Sequence, residues 1–235
     1  MSHLTQLFTE IGGKFITPEA DIIEKLKQVK AFVFDWDGVF TDGGKDHNLD
    51  SRFSEIDSMG TNLLRFSYYL NNGSIPLTAI ISGEKNTAAF TFIDRERFHY
   101  SFSKFANKLE ATKHLCELND LMPHQICFVF DDVLDLSLAE ISGVRIYIPR
   151  NANPLMNEYV IKHKLADYMT GASSGQHAVR EATELLIGLN VNFDDTLTNR
   201  KTFSTDYKDY LALRRATNPL YFTVLDGEIV ESKQQ

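Results

Sequence analysis

Ala31-Phe32-Val33-Phe34-Asp35-Trp36-Asp37-Gly38-Val39-Phe40-Thr41-Asp42-Gly43-Gly44 is the stretch whose reading decides the fold. A short apolar run bounded by turn residues predicts a buried strand. That run delivers two carboxylates, Asp35 and Asp37, and Gly38 then breaks the strand. In open α/β sheets, ligands gather at the carboxyl ends of such strands. Two acids placed there can hold a divalent cation, and one of them can also act as a nucleophile. Such acids need partners, and the rest of the chain offers candidates.

Upstream, residues 1–16 carry no firm signal. Thr17-Pro18-Glu19 predicts a helix start, with Thr17 as N-cap and Pro18 at the first helical position. Ile22, Ile23, Leu26 and Val29 give that helix an apolar face. Downstream, Val39-Phe40-Thr41 and Arg52-Phe53-Ser54-Glu55-Ile56 flank a polar cluster and predict a β-hairpin over Val39–Ile56. Met59, Leu63, Phe66 and Leu70 then mark a helix that Asn71-Asn72-Gly73 stops.

Leu77–Ile81 predicts a second buried strand, ending in Ser82-Gly83. A helix from Glu84 to about Arg97 follows, then a short strand over Phe98–Phe102. Phe105, Leu109, Thr112 and Cys116 mark the next helix, with Lys108 near its start. Ile126–Phe130 and Val144–Ile148 read as strands on either side of a helix over 133–142, and Asp167–Thr170 as a last short strand. Val179, Ala182, Leu186 and Leu189 mark a helix after Gly171–Gly175. Strands alternating with helices predict an α/β fold: a doubly wound, Rossmann-like parallel sheet with helices on both faces. Asn190 to Lys201 reads as a polar linker. Tyr207 and Leu211 suggest a short helix beyond it, and Asp226-Gly227 a hairpin turn. The expected division is a core over 18–190 and a C-terminal extension over 191–235, serving as extra cover or as an oligomer contact.

Bulk composition narrows the classes. The chain has 235 residues, 43% hydrophobic and 24% charged, as expected for a globular protein of one α/β domain with additions. Its net charge of -8 argues against nucleic acid or an anionic membrane as partner. No apolar run approaches the roughly eighteen residues of a membrane span. The N-terminus lacks a signal-peptide layout, and Cys116 and Cys127 have no metal-type spacing, so a reducing cytoplasm is the expected setting. The seven histidines show no metal-binding pair at helical spacing. Gly171–Gly175 lacks the lysine of a nucleoside-triphosphate loop.

Three strand ends carry polar residues: Asp35 and Asp37, then Ser82, then Asp131, Asp132 and Asp135. An acid or serine in that position usually caps the next helix, and a lone Asp-Xaa-Asp carries little information. Their ordered recurrence at one sheet edge is harder to assign to capping. Asp35-Trp36-Asp37-Gly38-Val39-Phe40-Thr41-Asp42-Gly43 resembles the first motif of the haloacid-dehalogenase-like (HAD) phosphatases. More narrowly, it resembles the capless subgroup that includes 3-deoxy-D-manno-octulosonate 8-phosphate phosphatase. Ile80-Ile81-Ser82-Gly83 is similar to the second motif, Asn107-Lys108-Leu109-Glu110-Ala111 to the third, and Phe130-Asp131-Asp132-Val133-Leu134-Asp135 to the fourth. Gly175-Gln176-His177-Ala178-Val179-Arg180-Glu181 is similar to the subgroup's glycine-rich tail and last helix.

The resemblance implies a phosphoric monoester hydrolase that forms an aspartyl-phosphate on Asp35, with Asp37 as general acid and base. It implies Mg²⁺ held by Asp35, Asp37 (through its backbone carbonyl) and Asp131. Ser82 and Lys108 would bind the phosphoryl group, with Lys104 as a rival for the lysine role. Gly38 and Gly83 would shape the site. Asp132 and Asp135 would hold metal-bound waters or orient Lys108, and Arg180 would reach a substrate anion in a neighbouring subunit. The expected substrate is a small phosphorylated metabolite, a sugar or sugar acid, and the expected assembly a homo-oligomer, in the subgroup a tetramer.

Two departures stand out. Phe130 replaces the usual glycine beside the metal, and Glu84 replaces the subgroup's arginine after Ser82-Gly83. They leave open a catalytically impaired metal-binding or interaction protein. A capless site also leaves open a phosphotransferase or a protein phosphatase. Neither the interval from Asp37 to Ser82 nor that from Ser82 to Lys108 leaves room for a cap domain, which needs about fifty residues beyond the scaffold.

Overall fold

The computed structural model describes residues 1–45 and 52–232. The described strands are Lys14–Phe15 (β1), Ala31–Phe34 (β2), Leu77–Ile81 (β3), Tyr100–Ser103 (β4), Ile126–Phe130 (β5), Val144–Tyr147 (β6), Tyr168–Met169 (β7), Leu220–Leu225 (β8) and Glu228–Glu231 (β9). They form one sheet in the order β1-β7-β6-β5-β2-β3-β4-β8-β9. Every pairing from β7 across to β8 is parallel, and only the outermost strands β1 and β9 run antiparallel. The predicted doubly wound sheet is therefore present, wider at both edges than the motifs alone indicate.

Alternation along the strands builds two cores. Phe32 and Phe34 of β2 and Cys127 and Val129 of β5 face one layer. That layer is made by Glu19–Leu26 (α2), Glu55–Asn72 (α3), Thr87–Glu96 (α4) and Ala178–Leu189 (α8). Ala31 and Val33, with Ile126, Phe128 and Phe130, face the other, under Lys108–Asn119 (α5), Leu136–Ile141 (α6) and Pro154–Lys162 (α7). Strands buried on both faces read as continuous apolar runs, which is why β2, β3 and β5 are easy to find in the sequence. α3 and α8 approach closely because Gly60 has no side chain: a Cβ there would overlap Thr183 Oγ1.

Several local expectations are corrected. The flanks of the hairpin predicted over Val39–Ile56 do not extend as strands. Gly38, at φ +90°, reverses the chain, and the Val39 and Phe40 N–H groups donate to the Trp36 carbonyl at 3.2 and 3.0 Å. Phe40 then stacks on Trp36 at 5.1 Å and packs against Phe92 at 4.7 Å, so aromatic burial holds the turn closed. The hairpin's tip lies outside the described residues. Thr17 does not cap α2; its hydroxyl donates to Asp167 Oδ1 at 2.7 Å, an acid that also receives Lys25 and Arg145. Residues 1–16 contain a helix, His3–Glu10 (α1), capped by Ser2, whose side chain accepts from the Thr5 N–H.

The polar stretch read as a linker is also a helix, Phe193–Thr202 (α9). Its signal was electrostatic: Asp194 and Asp195 sit in the first turn and Arg200 and Lys201 in the last, matching the helix dipole. Thr205–Ala216 (α10) follows, and β8 and β9 close on Asp226-Gly227, both at positive φ as a tight hairpin turn requires.

Residues after 190 are packed against the rest of the chain. β8 continues the parallel sheet beside β4, with Phe222 stacked on Phe102 at 5.2 Å. Tyr207 and Tyr210 bury against Phe66 of α3, and the Tyr210 hydroxyl donates to the Asn62 carbonyl at 3.2 Å. Arg214 pairs with the buried Glu96 at 2.6 Å. No helix among the described residues is long and apolar enough to cross a membrane. Tyr210→Ala is expected to lower the unfolding free energy of the whole chain by about 3 kcal/mol or more, through the cavity it leaves and the loss of the hydroxyl's bond to the Asn62 carbonyl. Urea unfolding followed by circular dichroism reads this directly. A separate early transition, with the main one unmoved, would show instead that the extension unfolds on its own.

Candidate active site

Sheet register gathers the candidate residues before any side-chain contact does. Phe34 pairs with both Ile80 and Val129. Asp35, Ser82 and Asp131 therefore leave three neighbouring strands at one edge, within two residues of a common row. The ladder persists one step further, with Asp35 N–H donating to the Val129 carbonyl at 3.0 Å and Ser82 N–H to the Phe102 carbonyl at 2.8 Å. α5 starts at the same edge. Asn107 caps it by accepting from the Leu109 N–H, which places Lys108 in the first turn, aimed back at the acids.

Lys108 is 2% exposed, with its Nζ 2.6 Å from Asp35 Oδ1 and in contact with Asp135 Oδ1. Burial works against charge on this ammonium, but Asp35 and Asp135 outweigh it and hold its pKa above the usual lysine value. Asp135 sits in a short 3₁₀ turn, Val133–Asp135, and its Oδ2 accepts from the Asp131 and Asp132 N–H groups at 3.4 and 3.1 Å. Its Oδ1 meets Lys108 Nζ, so one residue contacts both the lysine and the strand-end backbone. Lys104, the rival lysine, is exposed and lines a different groove beside β8 and β9.

Carboxylate oxygens of Asp35, Asp131 and Asp135 all lie within 4.8 Å of one another. Burial, together with Asp35 and Asp135, pushes the Asp131 carboxyl well above the ordinary range, with Arg150 opposing. Burial and Asp35 push Asp135 the same way, against Lys108. Asp131 Oδ1 is buried and has no hydrogen-bond partner. A crowded set of hard oxygens with one left unsatisfied suits a small divalent cation, which prefers few carboxylates and completes its shell with water and phosphate. Asp135 is already engaged by Lys108 and two backbone N–H groups, so Asp35 and Asp131 are the side chains available to a metal.

The remaining candidates separate clearly. Asp37, Ser82, Gly83 and Asp132 line the same cleft, of about 430 Å³. Asp37 is partly exposed, with Lys45 Nζ 3.3 Å from its Oδ2 and its Oδ1 buried without a partner. Ser82 is buried, and its hydroxyl oxygen accepts from the Glu84 N–H at 3.2 Å. Asp132 caps the 3₁₀ turn by accepting from the Val133 N–H at 2.7 Å. Gly38 is required by space as well as by its φ, because a Cβ would collide with Asp131 and Arg150. Arg180 lies away from this group. Its Nε donates to Glu184 at 2.9 Å and its backbone N–H to Asp57, on the α3–α8 side of the sheet.

Phe130 is not among the residues lining the cleft; its ring is buried in the core under α5, stacked on Phe128 at 5.4 Å and packed on Tyr147. Glu84 does line the cleft, exposed at its rim. The sequence reading missed two cleft residues, Lys45 and Arg150. Arg150 follows β6 in Ile148-Pro149-Arg150, at the same sheet edge as the acids; a cation in that place was the available signal.

The comparisons agree with this geometry. No protein-family model matches the chain. The 3-deoxy-D-manno-octulosonate 8-phosphate phosphatase of Escherichia coli strain K12 is 28% identical over 172 residues, 72% of this chain and 84% of the relative. A HAD-superfamily (subfamily III A) hydrolase from Legionella pneumophila superposes with a TM-score of 0.65 at 24% identity, covering 78% of this chain and 95% of that one. The Moraxella catarrhalis 3-deoxy-D-manno-octulosonate 8-phosphate phosphatase, solved with magnesium, phosphate and the sugar acid, gives 0.62 at 22% identity, covering 77% and 98%. Fold, motif order and relatives together liken the chain to the HAD-like phosphatases, which are phosphoric monoester hydrolases, and the described residues include no large cap domain. Within that class, the chain resembles the 3-deoxy-D-manno-octulosonate 8-phosphate phosphatases.

The acid cluster makes stability depend on pH in a definite direction. Asp131 and Asp135 titrate higher folded than unfolded, so the folded chain holds more protons above the ordinary carboxylate range. Stability contributed by these groups is complete at low pH and is lost as pH rises through their folded pKa values. Lys108→Met is expected to steepen that loss, costing about 3 kcal/mol or more at pH 8 and clearly less at pH 5, because it strands two buried carboxylates. Thermal melts of both proteins in chelator between pH 5 and 8 measure it; equal costs at the two pH values would refute the charge argument.

Proposed function

We propose that this chain hydrolyses the phosphate ester of a small metabolite, a sugar or sugar-acid phosphate, through an aspartyl-phosphate on Asp35, with Mg²⁺ as cofactor. The observation that carries the reading is the pairing of Asp35 with Lys108 beside the unpartnered Asp131 oxygen. Asp35 is fixed by the buried ammonium, as a carboxylate nucleophile requires. Bound Mg²⁺ would be held by Asp35 and Asp131 and would neutralise the phosphoryl oxygens against the surrounding acids.

The chain's own residues supply the rest. Lys108 faces Asp35 from the side and offsets charge as the phosphoryl group reaches it. The Ser82 hydroxyl, on the next strand end, turns to donate to a phosphoryl oxygen. Asp37 is two residues beyond the nucleophile, partly exposed and paired only with the flexible Lys45 in the described structure. Such an acid can protonate the leaving oxygen and then take a proton from the attacking water. Asp132 and Asp135 fix the strand-end turn and aim Lys108.

Phe130, which as a sequence departure favoured an impaired protein, is buried in the core under α5 and does not line the cleft. Glu84 stands at the rim where the subgroup has arginine, while Lys45 and Arg150 lie on the cleft wall. Substrate preference is therefore expected to differ in detail from that of the sugar-acid phosphatases it resembles.

A phosphorylated-metabolite panel with Mg²⁺, read by phosphate release, tests the proposal. Sugar and sugar-acid phosphates should be turned over, with activity abolished by chelator. Asp35→Asn should lower kcat by about a thousandfold or more, as loss of a nucleophile does. Asp37→Asn should lower it by about a hundredfold or more, with an aspartyl-phosphate trapped on acid quench. No turnover across the panel, or full activity in Asp35→Asn, would overturn it.

A further inference from the structure

Arg150 is, with Lys45, a cation of the cleft that the proposed chemistry leaves without a task. Its Nη2 contacts Asp131 Oδ2, and its Nη1 lies 3.3 Å from Asp132 Oδ2. The guanidinium reaches across to the loop carrying Asp37, where only the missing side chain of Gly38 leaves it room. It thus occupies the space between Asp131 and the Asp37–Gly38 turn. The backbone around it is fixed: its carbonyl accepts from the Asn153 N–H at 3.1 Å and from the Asn157 side chain at 3.0 Å. The side chain is held less firmly. Its Nε is buried without a partner, so the two aspartates provide its described ion pairs.

We propose that Arg150 is a built-in counter-cation of the acid cluster that competes with the divalent metal for Asp131. The inference rests on the reading of Asp131 as a metal ligand. Three acids within 4.8 Å of one another, with Lys108 engaged by two of them, leave Asp131 without a neutralising partner unless Arg150 supplies one. A divalent ion on Asp131 removes that need and repels the guanidinium, since unit charges about 4 Å apart interact by about 1 kcal/mol even in bulk water and by more in a buried site. A metal on the unpartnered Oδ1 is therefore opposed by the guanidinium on Oδ2 until Arg150 withdraws. Asp132, half-exposed at the cleft wall, is the acid to which it stays tethered. Arg150 acts through Asp131 and is a positioning residue, not a catalytic one.

Mn²⁺ binding to the full-length protein, measured by titration calorimetry and by the loss of free-ion electron paramagnetic resonance signal, tests this without reference to turnover. Arg150→Gln should bind Mn²⁺ at least about fivefold more tightly than the unmodified protein. It should also melt lower in chelator, with the difference shrinking at saturating Mn²⁺. Arg150→Lys, whose single ammonium cannot span both aspartates, should fall between the two and serves if the glutamine variant does not fold. Unchanged or weaker Mn²⁺ binding in these variants would overturn the competition. Asp131→Asn separates the two layers: if it binds Mn²⁺ as the unmodified protein does, the metal reading itself is wrong. If none of the proteins binds Mn²⁺, both fall.

Discussion

Asp35, Asp131 and Asp135 are confined within 4.8 Å of one another at the edge of a dry sheet, and Lys108 is what makes that confinement tolerable. Like charges in a low-dielectric pocket repel far more strongly than at a surface. One buried ammonium, held by two of the three acids, offsets most of that repulsion. It also fixes much else. Lys108 must lie in the first turn of α5, so Asn107 must cap there, and β4 must deliver the chain to the same edge as β2, β3 and β5. Asp135 must stand four residues past Asp131 in a 3₁₀ turn that lets it accept from the backbone and face Lys108 at once. The site is thus an electrostatic solution as much as a topological one, and the uncompensated oxygen of Asp131 is the part left for a cation.

How much of this was legible in the sequence follows from the range of the forces involved. β2, β3 and β5 are continuous apolar runs because both faces are buried, and Asp35, Ser82 and Asp131 follow them directly. Periodicity and a strand-end acid suffice for those. α3 is similarly plain from Met59 onward, with Gly73 in the left-handed conformation at its end, but its first turn, capped by Ser54, falls in the stretch read as a hairpin strand. Lys108 could be told from Lys104 only by motif, because both sit near one helix start; the difference is that Asn107 begins the helix and turns position 108 inward. The surroundings of Phe130 follow from pleating: strand alternation places it on the same face as Phe128, in the core under α5.

What was not legible depended on tertiary partners. Val39 and Phe40 have the composition of a strand, yet Gly38 reverses the chain and the rings of Trp36 and Phe92 capture Phe40. Thr17 looked like a cap because Pro18 follows it, but Asp167, remote in sequence, is a stronger acceptor for its hydroxyl. α9 was hidden by polarity. It is a helix whose charges, rather than its apolar face, match its ends. Arg150 was missed because no local pattern marks a residue that becomes important only when Asp131 and Gly38 arrive beside it.

The same constraint bears on access. Among the described residues no cap domain places a second set of side chains over the cleft, and the charges at its mouth come from the loops around the sheet edge. Lys45 and Arg150 stand on the cleft wall and Glu84 at its rim. A phosphate ester brings two negative charges into a cleft already rich in carboxylates, and each cation near the mouth then counts twice: once against the resident acids and once for the incoming anion. That double use is possible only if the cations are held loosely. Lys45 is paired at 3.3 Å with a partly exposed acid, and Arg150, though it meets Asp131 and Asp132, is more exposed than Lys108, which is buried between two carboxylates. Rigid neutralisation at the nucleophile and movable neutralisation at the mouth are the two halves of one arrangement.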